Sequence, residues 1–353
     1  MFCYTSGTTG DAKGAKITHY GLVANTSFWD YSKVDWTNDD VVLSYLPLAH
    51  AYEQSTLIKS IAVGFQIGYY SGDVLKLMED VVVLKPTVFN TVPRILNRIY
   101  SKILEGVATK SGFAQWLFNK AIKEKAEAYK ISGSLAHSTY DATVLKTIRP
   151  ILGGRVRAMT TGAAPINADV LAFLQVAFSA HIHEGYGQTE ALITTLTDKN
   201  DINSAGTVGG PVPTIRFRLK DIPEMGYLHT DKPYPRGELQ FYGNTLFKGY
   251  YKNPERTAEA FSEDGWINSG DVSVILPNGN IKIIDRAKNI FKLAQGEYVA
   301  PEKLENIYVQ AGLVGQIFVY GDSLQSFLVG IVVPDPEVLP KFVQANPGKY
   351  YIK

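Results

Sequence analysis

The chain has 353 residues, 45% of them hydrophobic and 20% charged, and its formal net charge is +1. Those values are ordinary for a globular protein of one large or a few smaller domains, and the near-zero charge gives no electrostatic case for nucleic acid or an acidic membrane surface. One cysteine, Cys3, excludes an internal disulfide framework and fits a reducing compartment, and no apolar run approaches the ~20 residues of a membrane span.

The first distinctive stretch is YTSGTTGDAKG, residues 4–14. Glycines let the backbone come close to a ligand, while hydroxyls, successive N–H groups and Lys13 suit phosphate oxygens. A Walker A loop counted from Gly7 would need glycine where Ala12 stands and a hydroxyl where Gly14 stands, so that reading fails. Short apolar runs then alternate with helical patterns. VVLSYLPL (41–48), FQIGYY (65–70), TVFNTV (87–92) and RVRAMTT (155–161) read as strands. Residues 73–84, 94–104 and 114–130 read as amphipathic helices, the last with Leu117, Ala121, Ala128 and Tyr129 on its apolar face and Lys and Glu on the other. The alternation predicts an α/β domain with a largely parallel sheet. From about residue 206, Gly/Pro-punctuated runs such as IRFRLKD, GELQFYG and NIKIIDR predict a β-rich subdomain, followed by a βα segment from residue 285.

Four further stretches place polar groups where a nucleotide site would use them. TTGAAPI (160–166) ends a strand on small residues that let a flat ring approach. EGYGQTE (184–190) offers an aromatic ring, a hydroxyl and a carboxylate; DGWINSGDV (264–272) carries Asp271 in a Ser-Gly-Asp turn; residues 283–305 carry Arg286, Lys288 and Lys292. Taken singly, each also reads as a strand-end turn, a packed tyrosine, a capping aspartate or a solvated basic stretch. His181-x-His183 lacks a nearby third ligand for a metal, His50-x-x-Glu53 is not a zinc motif, and IRFRLK reads as a solvated sheet face.

In this order the motifs resemble the adenylate-forming superfamily. LPLAHAYE, VPRILNRIY, GGRVRAMTTGAAPI, VGGPVPTIRFRLKDIPEMGY and FKLAQGEYVAPEKLENIY resemble the eukaryotic-type long-chain fatty acyl-CoA synthetases. The resemblance implies the α/β adenylate-forming fold, with 1–205 as part of the AMP-binding large domain, 206–284 as its β-rich subdomain, and 285–353 as a hinge and partial C-terminal domain. It implies ATP-dependent activation of a long-chain fatty acid through an acyl adenylate, then thioester formation with CoA, with Mg²⁺ as cofactor. Thr5, Ser6, Gly7, Thr8, Thr9, Gly10 and Lys13 would contact the β- and γ-phosphates, with Ala12 replacing the family's usual proline. Gly162, Ala163, Ala164, Pro165 and Gly187 would line the adenine and Tyr186 would stack on it. Asp271 and Arg286 would hold the ribose, Thr189 the α-phosphate, and Glu190 the metal. His50 would lie near the carboxylate substrate, Lys288 at the hinge, and Lys292 on the face that approaches the adenylate for thioester formation. Ala287 and Ser269 depart from a second basic residue and a threonine.

The same resemblance implies a large-domain segment upstream of Tyr4, where an organelle-membrane anchor would also lie, and an adenylation lysine downstream. The sequence is expected to be truncated at both ends and therefore weakly active. Full-length relatives suggest an intracellular enzyme on the cytoplasmic face of endoplasmic reticulum or other organelle membranes. A second reading, a short nucleotide-binding or interaction module with little catalysis, stays open at this point.

Overall fold

The structure is a computed structural model and describes residues 1–5, 12–27, 34–287, 289–293, 298–322 and 327–346. The chain opens with an antiparallel hairpin, β1 (Phe2–Thr5) and β2 (Lys13–Lys16), that sets Thr5 opposite Lys13. A run of parallel strands follows: β3 (Val41–Ser44), β4 (Gln66–Tyr69), β5 (Val88–Thr91), β6 (Ala158–Thr161) and β7 (His181–Gln188). β8 (Leu192–Leu196) and β9 (Gly210–Pro211) continue the sheet antiparallel, giving the order β4-β3-β5-β6-β7-β8-β9 among the described residues.

Every residue of β3, β5 and β6 is buried, as expected of strands covered on both faces by crossover helices. The crossover Pro93–Ala108 starts with proline at its first turn and buries Leu96, Ile99 and Ile103 at helical spacing. The crossover Ala168–Phe178 is capped by the Asn167 side chain, which accepts from the Asp169 and Val170 N–H groups. Both pack with Leu43, Phe89, Met159 and Ile182 in one core. The first expected strand stops at Ser44, short of Pro47, which has no N–H to give a ladder. Among the described residues no helix is long and apolar enough to cross a membrane.

A second sheet, β10 (Ile215–Lys220), β11 (Arg236–Gly243), β12 (Ile267–Ile275) and β13 (Ile281–Arg286), is antiparallel in sequential order. Its Leu239, Phe241 and Ile281 share a core with Val42, Val88 and Ala158 of the first sheet. Past it lie β14 (Phe291–Lys292) and β15 (Tyr298–Val299), the helix Pro301–Tyr308, a ribbon of β16 (Val314–Gly321) and β17 (Leu328–Pro334), and the helix Val338–Ala345.

The helix Gly112–Ser132 corrects one expectation. Its buried stripe is Phe118, Ala121, Lys125 and Tyr129, so a lysine occupies the face assigned to apolar residues. Lys125 is 1% exposed, and its ammonium donates to Asp141 Oδ1 at 2.5 Å, the Val176 carbonyl at 2.7 Å and Ser179 Oγ at 2.6 Å. These three partners satisfy all three N–H groups, and join the helix to the end of Ala168–Phe178. Burial pushes the Lys125 pKa down and the Asp141 carboxylate opposes it. Asp141→Asn is expected to cost about 3 kcal/mol by leaving a buried ammonium without its counter-charge. In urea denaturation, adding Lys125→Met to that variant should recover much of the loss; strict additivity of the two changes would contradict the pairing.

Candidate nucleotide site

The parallel strand β7 turns back into β8 at residues 189–191, at the carboxyl edge of the sheet. Such edges are where open α/β sheets take their ligands. The turn is made possible by Gly187: a Cβ there would lie 2.0 Å from the Leu192 carbonyl oxygen. A register shift between Tyr186 and Gly187 accompanies it, and bulges of this kind re-aim a side chain. At the end of β6, a Cβ on Gly162 would come within 2.8 Å of the Gly185 carbonyl oxygen. That close approach leaves Ala163, Ala164 and Pro165 as an exposed ledge beside β7, with Ala163 at φ 69°.

One cluster gathers at the Tyr186 side of the turn. The Tyr186 hydroxyl donates to Asp271 Oδ2, and its ring tilts against Phe241, with centroids 6.0 Å apart. Asp271 sits within β12 rather than in a free turn, at a register shift that opposes β11. Gly270 before it takes φ 76°, and Ser269 Oγ accepts the Asp271 N–H at 3.0 Å. Arg286 is the residue facing Asp271 across β12 and β13, with Nε 3.8 Å from Oδ1, and it also lies 3.5 Å from Glu302. Burial raises the Asp271 pKa, while the Tyr186 hydroxyl and Arg286 pull it back; burial first, then the Asp271 charge, hold the Tyr186 phenol well above its usual range.

The second cluster joins the opening hairpin to the Thr189–Glu190 turn. Glu190 Oε1 accepts from the Tyr250 hydroxyl at 2.5 Å, and the Lys13 ammonium lies 5.3 Å from the centroid of the Tyr250 ring. Residues 247–251 are stitched by backbone bonds to both neighbours: Lys248 N–H to Lys16 O at 2.8 Å, Tyr251 N–H to Gly14 O at 2.7 Å, and Phe247 N–H to Glu190 O at 2.8 Å. Cys3 is buried, and its thiol donates to the Ala49 carbonyl at 2.9 Å. Burial raises its pKa, Thr189 bonds to its thiolate form, and the Glu190 charge adds to the rise.

The two clusters thus bring together Thr5, Lys13, Thr189 and Glu190 on one side and Gly162–Pro165, Tyr186, Gly187, Asp271 and Arg286 on the other. Ser6, Gly7, Thr8, Thr9, Gly10 and Lys288 lie outside the described residues, as does the Lys292 side chain, whose backbone is in β14. His50 is exposed just before the helix Ala51–Val63 and makes no side-chain capping bond. Sequence pattern does not mark Tyr250: a tyrosine in GYYKNPE carries no charge signature, and its acidic partner lies 60 positions away. His183 is buried, its Nδ1–H donating to the Thr197 carbonyl at 2.9 Å, and burial lowers its pKa to about 4. No group of three potential His, Cys, Asp or Glu metal ligands occurs among the described residues. Arg218 stacks over Trp266 and is paired through both nitrogens with Asp264 at 2.6 and 2.8 Å, so that basic strand is an ion-paired sheet face.

Glu184 is also buried on β7, where burial pushes its carboxyl up to about 8 against the opposing Ile166 N–H; its Oε2 has no hydrogen-bond partner among the described residues. The folded chain therefore keeps a proton there that the unfolded chain releases near its ordinary value of 4.5. Stability must fall as pH rises through that interval. His183 works in the opposite sense, losing stability only as pH falls from 6.5 towards 4. Glu184→Gln is expected to remove a decline on the order of 1 kcal/mol between about pH 6.5 and 8. Urea denaturation at both pH values checks this; an unchanged slope in the variant would place the titration elsewhere.

Residues 1–251 match the family model described as AMP-binding enzyme. The chain is 48% identical over 345 residues to the peroxisomal long chain acyl-CoA synthetase 6 of Arabidopsis thaliana, covering 98% of this chain and 49% of that protein. It is 45% identical over 346 residues to long-chain-fatty-acid–CoA ligase 5 of Rattus norvegicus, covering 97% and 50%. Among solved structures, the A-PCP didomain of carboxylic acid reductase from Segniliparus rugosus in complex with AMP aligns at a TM-score of 0.74 with 32% identity, over 97% of this chain and 43% of that one. The chain spans about half the length of the curated relatives it matches. The family match takes in the opening hairpin, the β7–β8 turn and Tyr250, and the fold is the α/β fold expected of adenylate-forming proteins: the chain belongs to the AMP-binding enzyme family.

Proposed function

We propose that this chain carries the nucleotide site of a long-chain fatty acid–CoA ligase. The observation that carries the reading is the convergence of the two clusters on the one β7–β8 turn, in a chain whose relatives are named long-chain acyl-CoA synthetases.

A carboxylate cannot pass its acyl group to a thiol at neutral pH, because oxide would have to leave. In the proposed reaction a fatty acid oxygen attacks the α-phosphorus of ATP, the α–β phosphoanhydride bond breaks, and pyrophosphate departs. The CoA thiolate then attacks the acyl carbonyl, the bond to AMP breaks, and AMP leaves. Both reactants of the first step are anionic, so the site must supply donors and cations as charge builds on the transferring phosphate. Tyr186 and the Gly162–Pro165 ledge take the adenine, and Asp271 accepts from the ribose hydroxyls, a role suited to an acceptor-only carboxylate. Lys13, Thr5 and the 6–10 loop hold the β- and γ-phosphates, and Thr189 donates to the α-phosphate. His50 stands at the carboxylate entry, while Lys288 as hinge and Lys292 belong to the thioester-forming arrangement of the C-terminal part.

Glu190 fits Mg²⁺: it offers a hard oxygen ligand at the turn, and Mg²⁺ in nucleotide sites takes one or two carboxylates plus substrate phosphates rather than a protein cage. Bound there, the ion would neutralise charge on the triphosphate. The residues themselves hold the nucleotide at both ends, which fixes the α-phosphate over Thr189.

Calorimetric titration of AMP into the chain is expected to show saturable binding, weakened about tenfold or more by Asp271→Ala, since a hydrogen bond to a charged group is worth roughly 1.5–3 kcal/mol. Absence of AMP binding would overturn the site. Pyrophosphate exchange into ATP should depend on a long-chain fatty acid such as palmitate and not on acetate. Exchange that favours acetate would overturn the substrate class.

A further inference from the structure

Tyr250 occupies a place in the site that neither its residue type nor the motif pattern suggests. Its side chain is 8% exposed and packs edge-on against Phe247, with centroids 4.9 Å apart and planes at 69°. Its backbone is held on every side. Gly249 before it takes φ 90°, and a Cβ there would meet Thr257 Cγ2 at 2.5 Å. The Tyr250 N–H donates to Thr257 Oγ1 at 2.9 Å, and Tyr250 bridges to Ala15 of β2. The ring is therefore a fixed object rather than a mobile surface tyrosine. Its face meets the Lys13 ammonium, and its hydroxyl meets Glu190 Oε1. One side chain thus touches both the cation of the phosphate hairpin and the carboxylate of the β7–β8 turn.

Building on the ligase reading above, we propose that Tyr250 is a positioning residue for the metal–triphosphate end of the site, its hydroxyl fixing the Glu190 carboxylate and its ring fixing Lys13. A carboxylate on a turn has several rotamers, and ordering it on metal binding costs side-chain entropy. The phenol stands on backbone already fixed through Gly249 and Thr257. Its double contact at Glu190 and Lys13 therefore meets that cost during folding, committing both charges to one arrangement before the nucleotide arrives. Groups that orient a metal ligand in this way typically contribute 10–100-fold in metal affinity or activity.

The test uses the 353-residue chain, Mn²⁺ as a paramagnetic probe and ATP, with binding read by electron paramagnetic resonance, and metal-free AMP binding read by calorimetry. Tyr250→Phe keeps the ring, its packing and its face towards Lys13, and removes only the hydroxyl. It is expected to weaken Mn²⁺ binding in the presence of ATP about tenfold while leaving metal-free AMP binding unchanged. In a Glu190→Ala background the same substitution should have no further effect on Mn²⁺ binding. Unchanged Mn²⁺ binding in Tyr250→Phe would overturn the proposal, as would an equal loss of Mn²⁺ and AMP binding, which marks a merely structural role. A parent chain that binds neither AMP nor Mn²⁺ with ATP would overturn the ligase reading itself, and this proposal with it.

Discussion

The backbone seam of residues 247–251 is the contact on which the site's geometry depends. Hydrogen bonds from this segment run to β2 on one side and to the Glu190 carbonyl on the other. Without it, the opening hairpin would be joined to the main sheet mainly through side-chain packing such as that of Cys3, Ile17, Leu22 and Leu192. Main-chain bonds have fixed directions and no rotamers to lose, so they set Lys13 and Glu190 against Tyr250 more tightly than side chains could. The remaining half of the site is built by a second backbone constraint, the near-contact of Gly162 with the Gly185 carbonyl and of Gly187 with the Leu192 carbonyl. Larger residues at these points would push β6, β7 and β8 apart.

Much of this is legible in the sequence because it depends on local pattern. Short runs rich in Val, Leu, Phe, Met and Thr give away β3, β5 and β6, and small residues after a strand mark the Gly162–Pro165 ledge. Tyr186, Glu190 and Asp271 stand out only through the resemblance of their motifs taken in order, since each alone also reads as a packed tyrosine, a turn residue or a capping aspartate. What stays hidden depends on pairing across distance. Lys125 looks like a solvated helix residue until Asp141, Val176 and Ser179 converge on it. Tyr250 looks like a packed aromatic until Glu190 is brought to its hydroxyl. Asp271 looks like a turn residue, but the strand-internal register shift that aims it arises from the mismatch between β11 and β12, which no short window displays.

The bond between Tyr186 and Asp271 bears on how such a site would exchange its ligand. The phenol takes only Oδ2, and a carboxylate has several acceptor positions, so under the proposed role a sugar hydroxyl reaching Oδ1 would add a second donor beside the first. Without a ligand the phenol still satisfies one carboxylate oxygen, so the buried charge is not left bare. A recognition group that keeps a donor of its own stays ordered with or without a ligand, so under the proposed reading binding would add to an arrangement already made in folding.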